Sequence, residues 1–223
     1  MNRSDLAQRI DHTLLGPTAT RDGVKKLCEE AVSHNVASAC VEPCHAATAN
    51  DILLETPVKL CVVIGFPHGK TTSASKAFEA KEAIAAGADE LDMVINVAAL
   101  KEGDHEAVLE DIRGVCEEAQ AASRQVSVKV ILETALLTDE EKVTGASLAE
   151  KAGADFVKTS TGFGPGGATV EDVALLRRTV GAEIGVKASG GIRDYETAVA
   201  MIEAGASRIG VSRTIAILDG ADA

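Results

Sequence analysis

Three lysines lie inside apolar, strand-like runs of the chain. Lys129 falls in Val126-Ser-Val-Lys-Val-Ile-Leu132, Lys158 in Ala154-Asp-Phe-Val-Lys-Thr159, and Lys187 in Ile184-Gly-Val-Lys-Ala188. Successive members are 29 residues apart. Burying an ammonium is costly because it must leave water. Three at one period predict a repeated unit that brings an amine to the same place each time. A crowded, partly dry set of amines lowers the pKa of its members and turns one of them into a nucleophile. The chemistry to expect is Schiff-base formation with a carbonyl compound.

Single acids occupy similar runs. Asp11 lies in Ile10-Asp-His-Thr-Leu14 and Asp92 in Leu91-Asp-Met-Val-Ile95. Each either bonds neighbouring backbone as a structural acid or stays ionised beside an amine and relays protons. Asp92 is the natural partner of Lys158 or Lys187. Glu133 follows Lys129 closely and is expected to pair with it, which would leave Lys129 an electrostatic or structural part.

Glycine-rich segments follow two of the lysines. Gly162-Phe-Gly-Pro-Gly-Gly167 formally matches the dinucleotide fingerprint G-x-G-x-x-G. The preceding Lys158-Thr-Ser-Thr161 is too polar for that fold, and Pro165 is unusual in such a turn. A loop that holds one phosphate with backbone N–H groups fits better. Ser189-Gly-Gly-Ile-Arg193 and Gly210-Val-Ser-Arg213 come late in the chain, where barrel enzymes commonly bind phosphate. The plain alternative is that these glycines only serve tight turns. Gly65-Phe-Pro-His-Gly-Lys-Thr71 is one residue short of a nucleotide phosphate loop. Lys70 there is expected to open a helix, and His68 is either a site-rim residue or an ordinary loop histidine.

Elements that would position these residues alternate along the whole chain. Strands are expected over residues 10–14, 38–42, 59–65, 90–95, 127–133, 156–160, 185–188 and 208–211. Helical patterns fill residues 21–34, 72–86, 104–122, 139–152, 170–179 and 195–204. Gly87, Gly153 and Gly205 each sit in an Ala-Gly-Ala joint between helix and strand, where glycine closes a helix in the left-handed conformation. Five residues on from them stand Asp92, Lys158 and Gly210, at equivalent strand positions. Eight such units in 223 residues predict a single α/β domain, a TIM (β/α)8 barrel over residues 1–223, with its site at the C-terminal ends of the strands. An open doubly wound sheet is the other solution. Aromatic residues make up only 2% of the chain, so Ala, Val, Ile and Leu must fill the core.

Composition narrows the partners. The formal charge is −12, which disfavours nucleic acid but permits a local basic pocket. No apolar run approaches the ~20 residues of a membrane span, and the first five residues lack a signal-peptide core; the expectation is a cytoplasmic protein. Five cysteines without a Cys-x-x-Cys argue against a disulfide framework. Cys40, Cys44 and His45 could form part of a metal site, but small buried hydrophobes and a loop histidine explain them as well. Neither metal nor organic cofactor is expected.

Taken in order, these motifs resemble the deoxyribose-phosphate aldolase family. The resemblance runs from Ile10-Asp-His-Thr-Leu-Leu15 through Ala39-Cys-Val41, Glu90-Leu-Asp-Met-Val94, Lys129-Val-Ile-Leu-Glu-Thr134 and Asp155-Phe-Val-Lys-Thr-Ser-Thr-Gly162 to Val186-Lys-Ala-Ser-Gly-Gly-Ile-Arg193. It implies a barrel enzyme, a homodimer, that reversibly cleaves 2-deoxyribose 5-phosphate into acetaldehyde and glyceraldehyde 3-phosphate. It makes Lys158 the Schiff-base nucleophile, Lys187 the neighbour that lowers its pKa, and Asp92 a proton-transfer group. Asp11, Cys40 and Lys129 would line the polar pocket. Gly162, Gly190, Gly191, Arg193, Gly210 and Ser212 would hold the phosphate. The chain departs from the family at Pro165, Val211 and Arg213, and residues 218–223 lack the terminal tyrosine of some members. The rival readings are another phosphosugar isomerase or lyase on the same barrel, and a non-catalytic phosphosugar-binding protein.

Overall fold

Eight parallel strands close on themselves in the computed structural model, which describes residues 1–221; Asp222 and Ala223 of the tail lie outside the described residues. The strands are β1 (Ile10–Leu14), β2 (Ser38–Val41), β3 (Lys59–Ile64), β4 (Glu90–Val94), β5 (Ser127–Ile131), β6 (Phe156–Lys158), β7 (Gly185–Ser189) and β8 (Arg208–Val211). Each pairs with the next, and β8 returns to β1 through Asp11 opposite Gly210. The closed order excludes an open doubly wound sheet. Around the barrel lie α1 (Arg3–Ala7), α2 (Arg21–Ser33), α3 (Ala46–Leu53), α4 (Ser73–Ala85), α5 (Val97–Lys101), α6 (His105–Gln120), α7 (Asp139–Ala152), α8 (Val170–Thr179), α9 (Tyr195–Glu203) and α10 (Thr214–Asp219).

Local chemistry explains the joints. Gly87, Gly153 and Gly205 have φ of 108°, 95° and 114°, the left-handed region that only glycine enters cheaply. Thr138 and Glu141 form a reciprocal capping box at the start of α7. The short helices α1, α3 and α5 were not expected, because five to eight residues carry too little periodicity to read, whereas α10 follows Arg213 as the short helix expected after the last strand. Lys70 does not open a helix. Thr72 caps α4, whose first residue is Ser73.

Strand alternation separates two environments. On β4, Leu91 and Met93 join the apolar layer between strands and helices, while Asp92 belongs to the opposite, inward face. The helices answer with small residues, among them Ala80, Ala83, Ala146 and Ala149, which let the helices pack close to the sheet. Ordinary barrels fill the interior with branched apolar side chains. Here Asp92, Lys129 and Lys187 occupy it, each with no exposed surface.

One further ion pair anchors the helical layer. Lys76 on α4 is fully buried. It donates to the Val94 carbonyl at the end of β4 (2.8 Å) and to Asp111 Oδ2 on α6. Lys76→Ala should therefore cost about 3–5 kcal/mol, because it strands a buried carboxylate. The double change Lys76→Met with Asp111→Leu should recover most of that loss. Urea denaturation of the two variants checks both expectations.

Candidate active site

Register brings the charged side chains together. Lys158 on β6 is paired with Lys187 on β7, and Asp92 on β4 with Lys129 on β5. Asp92 is the hub. Its Oδ2 accepts from Lys158 Nζ and from Lys187 Nζ, each at 2.6 Å. Its Oδ1 accepts from Lys129 Nζ at 2.9 Å and from Cys61 Sγ at 3.2 Å. Lys129 also donates to Glu90 Oε2 at 2.6 Å. Arg208 on β8 joins Glu90 to Asp11 Oδ1, the latter at 2.6 Å. Asp11 pairs with Lys187 as well. The result is a closed network of four cations and three carboxylates, with one cation in excess.

Burial and charge act against each other throughout this network. Burial alone would raise the Asp92 carboxyl, but Lys129, Lys158 and Lys187 hold it well below the usual carboxylate range. Asp11 is likewise raised by burial and lowered further by Lys187, Arg208 and Lys129, for a net fall. Burial lowers the Lys187 ammonium, yet Asp11 and Asp92 more than offset it and leave Lys187 a firmer cation than a free lysine. Lys129 is held charged in the same way, chiefly by Asp92. The expected crowd of bare amines is thus corrected. The amines are interleaved with carboxylates, and the carboxylates dominate.

Above the network lies a cleft of about 360 Å³. Of the network residues, Lys158 alone lines it. Gly162, Gly190, Gly191, Arg193, Gly210 and Ser212 line it too, as expected, and so does Arg213. Gly190 has φ of 87°, so a side chain there would be strained. Gly210 has a different reason: a Cβ would come within 3.0 Å of Lys187 Cε.

Several assignments need correction. Asp11, Cys40 and Lys129 do not line the cleft. All three have no exposed surface; they are buried in or against the network. Glu133 does not pair with Lys129; it accepts from Thr161 instead. His68 and Pro165 line a neighbouring cavity of about 510 Å³ rather than the cleft. Among the described residues, Cys40, Cys44 and His45 do not bring their ligand-type atoms within 4.8 Å of one another. Among the described residues, Cys40, Cys61 and Asp92 do place ligand-type atoms within 4.8 Å, but three ammonium groups already on Asp92 repel a cation there. Glu90 and Arg208 were missed. Glu90 lies two residues before Asp92, and Arg208 two before Gly210, so period-2 alternation puts each on the same inward face.

Comparison with known proteins gives the family and the fold. The model of the DeoC/LacD family aldolases matches residues 6–219. The chain belongs to that family and is a lyase. Within the family it groups with the deoxyribose-phosphate aldolases. The one from Streptococcus suis (strain 05ZYH33) is 57% identical over 218 residues, 98% of this chain and 97% of the relative. That of Clostridium perfringens (strain 13 / Type A) is 54% identical over 220 residues, covering 99% and 97%. The solved deoxyribose phosphate aldolase of Aeropyrum pernix, described as a tetramer, superposes with a TM-score of 0.93 at 37% identity, covering all of this chain and 93% of its own. Orotidine 5'-phosphate decarboxylase of Pyrococcus horikoshii OT3 shares the fold alone, with a TM-score of 0.66 at 15% identity.

The depressed carboxylates make stability pH-dependent. A carboxyl whose folded pKa lies below its unfolded value of 3.8 stabilises above that value and loses its contribution as pH falls through the folded pKa. Lys187 has the opposite sign. Its contribution is complete below 10.5 and is lost as pH rises toward its raised folded pKa. Unfolding free energy should therefore fall steeply below pH 4. Asp92→Asn should flatten that acid limb and cost about 3–5 kcal/mol at pH 7, as read by urea melts across pH.

Proposed function

We propose that this chain reversibly cleaves 2-deoxyribose 5-phosphate to acetaldehyde and glyceraldehyde 3-phosphate through a Schiff base on Lys158. The observation that carries it is that one amine of a sealed ionic network reaches a cleft rimmed by glycines and two arginines. A neutral Lys158 would leave three cations facing three carboxylates, a balanced cluster. The free Lys158 nitrogen adds to the sugar aldehyde carbon, and loss of water gives an iminium. The C2–C3 bond then breaks toward the iminium, leaving an enamine, while the C3 hydroxyl gives up its proton and becomes the product aldehyde. Protonation of the enamine carbon and hydrolysis release acetaldehyde and restore the amine.

Asp92 contributes as an anchor and relay. A carboxylate so firmly ionised stores a proton poorly and does not itself reach the cleft, so it relays protons to and from the substrate through the Lys158 nitrogen it holds. Lys187, held charged, supplies the positive field that favours a neutral Lys158. Backbone N–H groups of Gly162, Gly190 and Gly191, the Ser212 hydroxyl and the guanidinium of Arg193 bind the phosphate. Arg213 adds to that field, and Gly210 leaves room beside Lys187. Asp11, Cys40 and Lys129 support the pocket from below. All five cysteines are free, which suits a reducing, cytoplasmic compartment. For assembly we keep the family's homodimer; a dimer mass by light scattering bears it out and a tetramer mass replaces it.

Borohydride reduction in the presence of acetaldehyde should trap a covalent adduct that maps to Lys158 by mass spectrometry. An adduct elsewhere, or one that persists in Lys158→Ala, contradicts the mechanism; a phosphosugar isomerase or a binding protein would give none. Lys187→Leu removes the excess cation, so the pH midpoint of adduct formation should rise by about one unit, the equivalent of about 1.4 kcal/mol. An unchanged midpoint removes Lys187 from the tuning role.

A further inference from the structure

Glu133 lies outside the ionic network, and nothing in the chemistry above uses it. Its backbone is in the left-handed region, with φ 58° and ψ 62°, a conformation that costs a non-glycine residue of order 1 kcal/mol or more. The strain is held from both sides. Leu132 N donates to the Lys158 carbonyl and Thr134 N to the Thr159 carbonyl, each at 2.9 Å. These bonds extend the β5–β6 ladder past its regular end and pin the kink between them. The side chain is only 5% exposed.

The kink aims the carboxylate at the loop after β6. Glu133 Oε2 accepts from the Thr161 hydroxyl and, at 3.3 Å, from Thr161 N. Thr161 Oγ1 in turn accepts from Phe163 N at 3.0 Å. Gly164 is pressed onto the same carboxylate. A Cβ there would lie 2.8 Å from Glu133 Cδ. The other end of the loop is seated on the next strand. Ala168 N donates to the Gly190 carbonyl at 3.0 Å, and a Cβ on Gly167 would meet that carbonyl oxygen at 2.3 Å. The loop is therefore clamped between Glu133 and Gly190, and its inner face, Thr161 to Phe163, walls the Lys158 cleft.

We propose that Glu133 is a positioning residue for phosphate recognition: it latches Thr161 and so holds the 162–167 loop in the shape that presents Gly162 beside Gly190. This rests on the phosphate cradle proposed above. A latch that shapes the cradle governs affinity for the phosphorylated sugar. It does not govern the bond-breaking step, because the Schiff-base amine and Asp92 are held by their own network. Glu133→Ala should raise KM for 2-deoxyribose 5-phosphate about tenfold, with kcat within about threefold of wild type, as expected when binding rather than transition-state chemistry is lost. Activity on unphosphorylated 2-deoxyribose should hardly change, so the preference for the phosphorylated sugar falls by about the same tenfold. Glu133→Gln keeps an acceptor for the Thr161 hydroxyl and should restore most of the preference.

The readout is the ratio of kcat/KM for the two sugars. A merely structural role would lower both values together and leave the ratio unchanged, and that result overturns the proposal. So does a loss confined to kcat. If Glu133→Ala does not fold, Gly164→Ala decides by the same ratio, since it wedges the loop off the carboxylate without altering it. A wild-type protein with no preference for the phosphorylated sugar sinks the cradle and the latch with it. A wild-type preference that survives both variants sinks the latch alone.

Discussion

The interior of the barrel depends on one carboxylate accepting from three ammonium groups. Asp92 has no contact with solvent, and neither do Lys129 and Lys187. Each of these ions alone would be prohibitively costly to bury. Together they are tolerable only if every charge has a partner at hydrogen-bond distance, and the strand registers supply that. Neighbouring strands put Asp92 beside Lys129 and Lys158 beside Lys187; the barrel then folds the two pairs onto each other. Forming the network in part is costly, because removing one member leaves buried charges unmatched. The network therefore ties the chemistry of the site to closure of the barrel. The bare Cα at Gly210 belongs to the same constraint, since a methyl group would crowd Lys187.

Interleaving also assigns different tasks to chemically identical lysines. Lys129 and Lys187 each face two or more carboxylates and stay charged. Among the described residues Lys158 pairs with Asp92 alone, and shares it. It is also the network member next to the cleft. In this way the firmest cations become fixed parts of the electric field. The least supported amine is left where a carbonyl can reach it. Pairwise crowding of amines is too simple a picture of this interior, because each of the three lysines shares the Asp92 carboxylate.

Much of this was legible in the chain. The 29-residue spacing of lysines and the Ala-Gly-Ala joints reported the repeat, because a period in sequence becomes a rotation around the barrel. That the residues from Gly162 to Ser212 share one rim was legible because they follow the late strands of a barrel, although tight turns would use the same glycines. Depth was not legible. Asp11, Cys40 and Lys129 read as pocket residues, since sequence tells which face of a strand a side chain occupies but not how far down the barrel it lies. Pairing was also hidden. Glu133 stands closer in sequence to Lys129 than Glu90 does, yet a left-handed kink turns it toward Thr161 while the β4–β5 register gives Lys129 to Glu90. Glu90 itself escaped notice beside the more conspicuous Asp92.

The two halves of the site rest on different physics, and this gives them a different expected tolerance of sequence change. With a formal charge of −12, the molecule as a whole repels an anionic sugar phosphate. The attraction proposed for the phosphate must then be local, and the cleft offers it backbone N–H groups that carry no countercharge and the exposed guanidinium groups of Arg193 and Arg213 at the rim. Exposed cations lose little by exchange or rearrangement, because water solvates whatever is left unpaired. Arg213, exposed at the rim, can accordingly depart from the family pattern without disturbing the interior, whereas the departure at Val211 is buried in the apolar core. No such freedom exists below Lys158, where an unmatched charge has no water to turn to. The rim can be adjusted for affinity while the buried charges keep the chemistry constant.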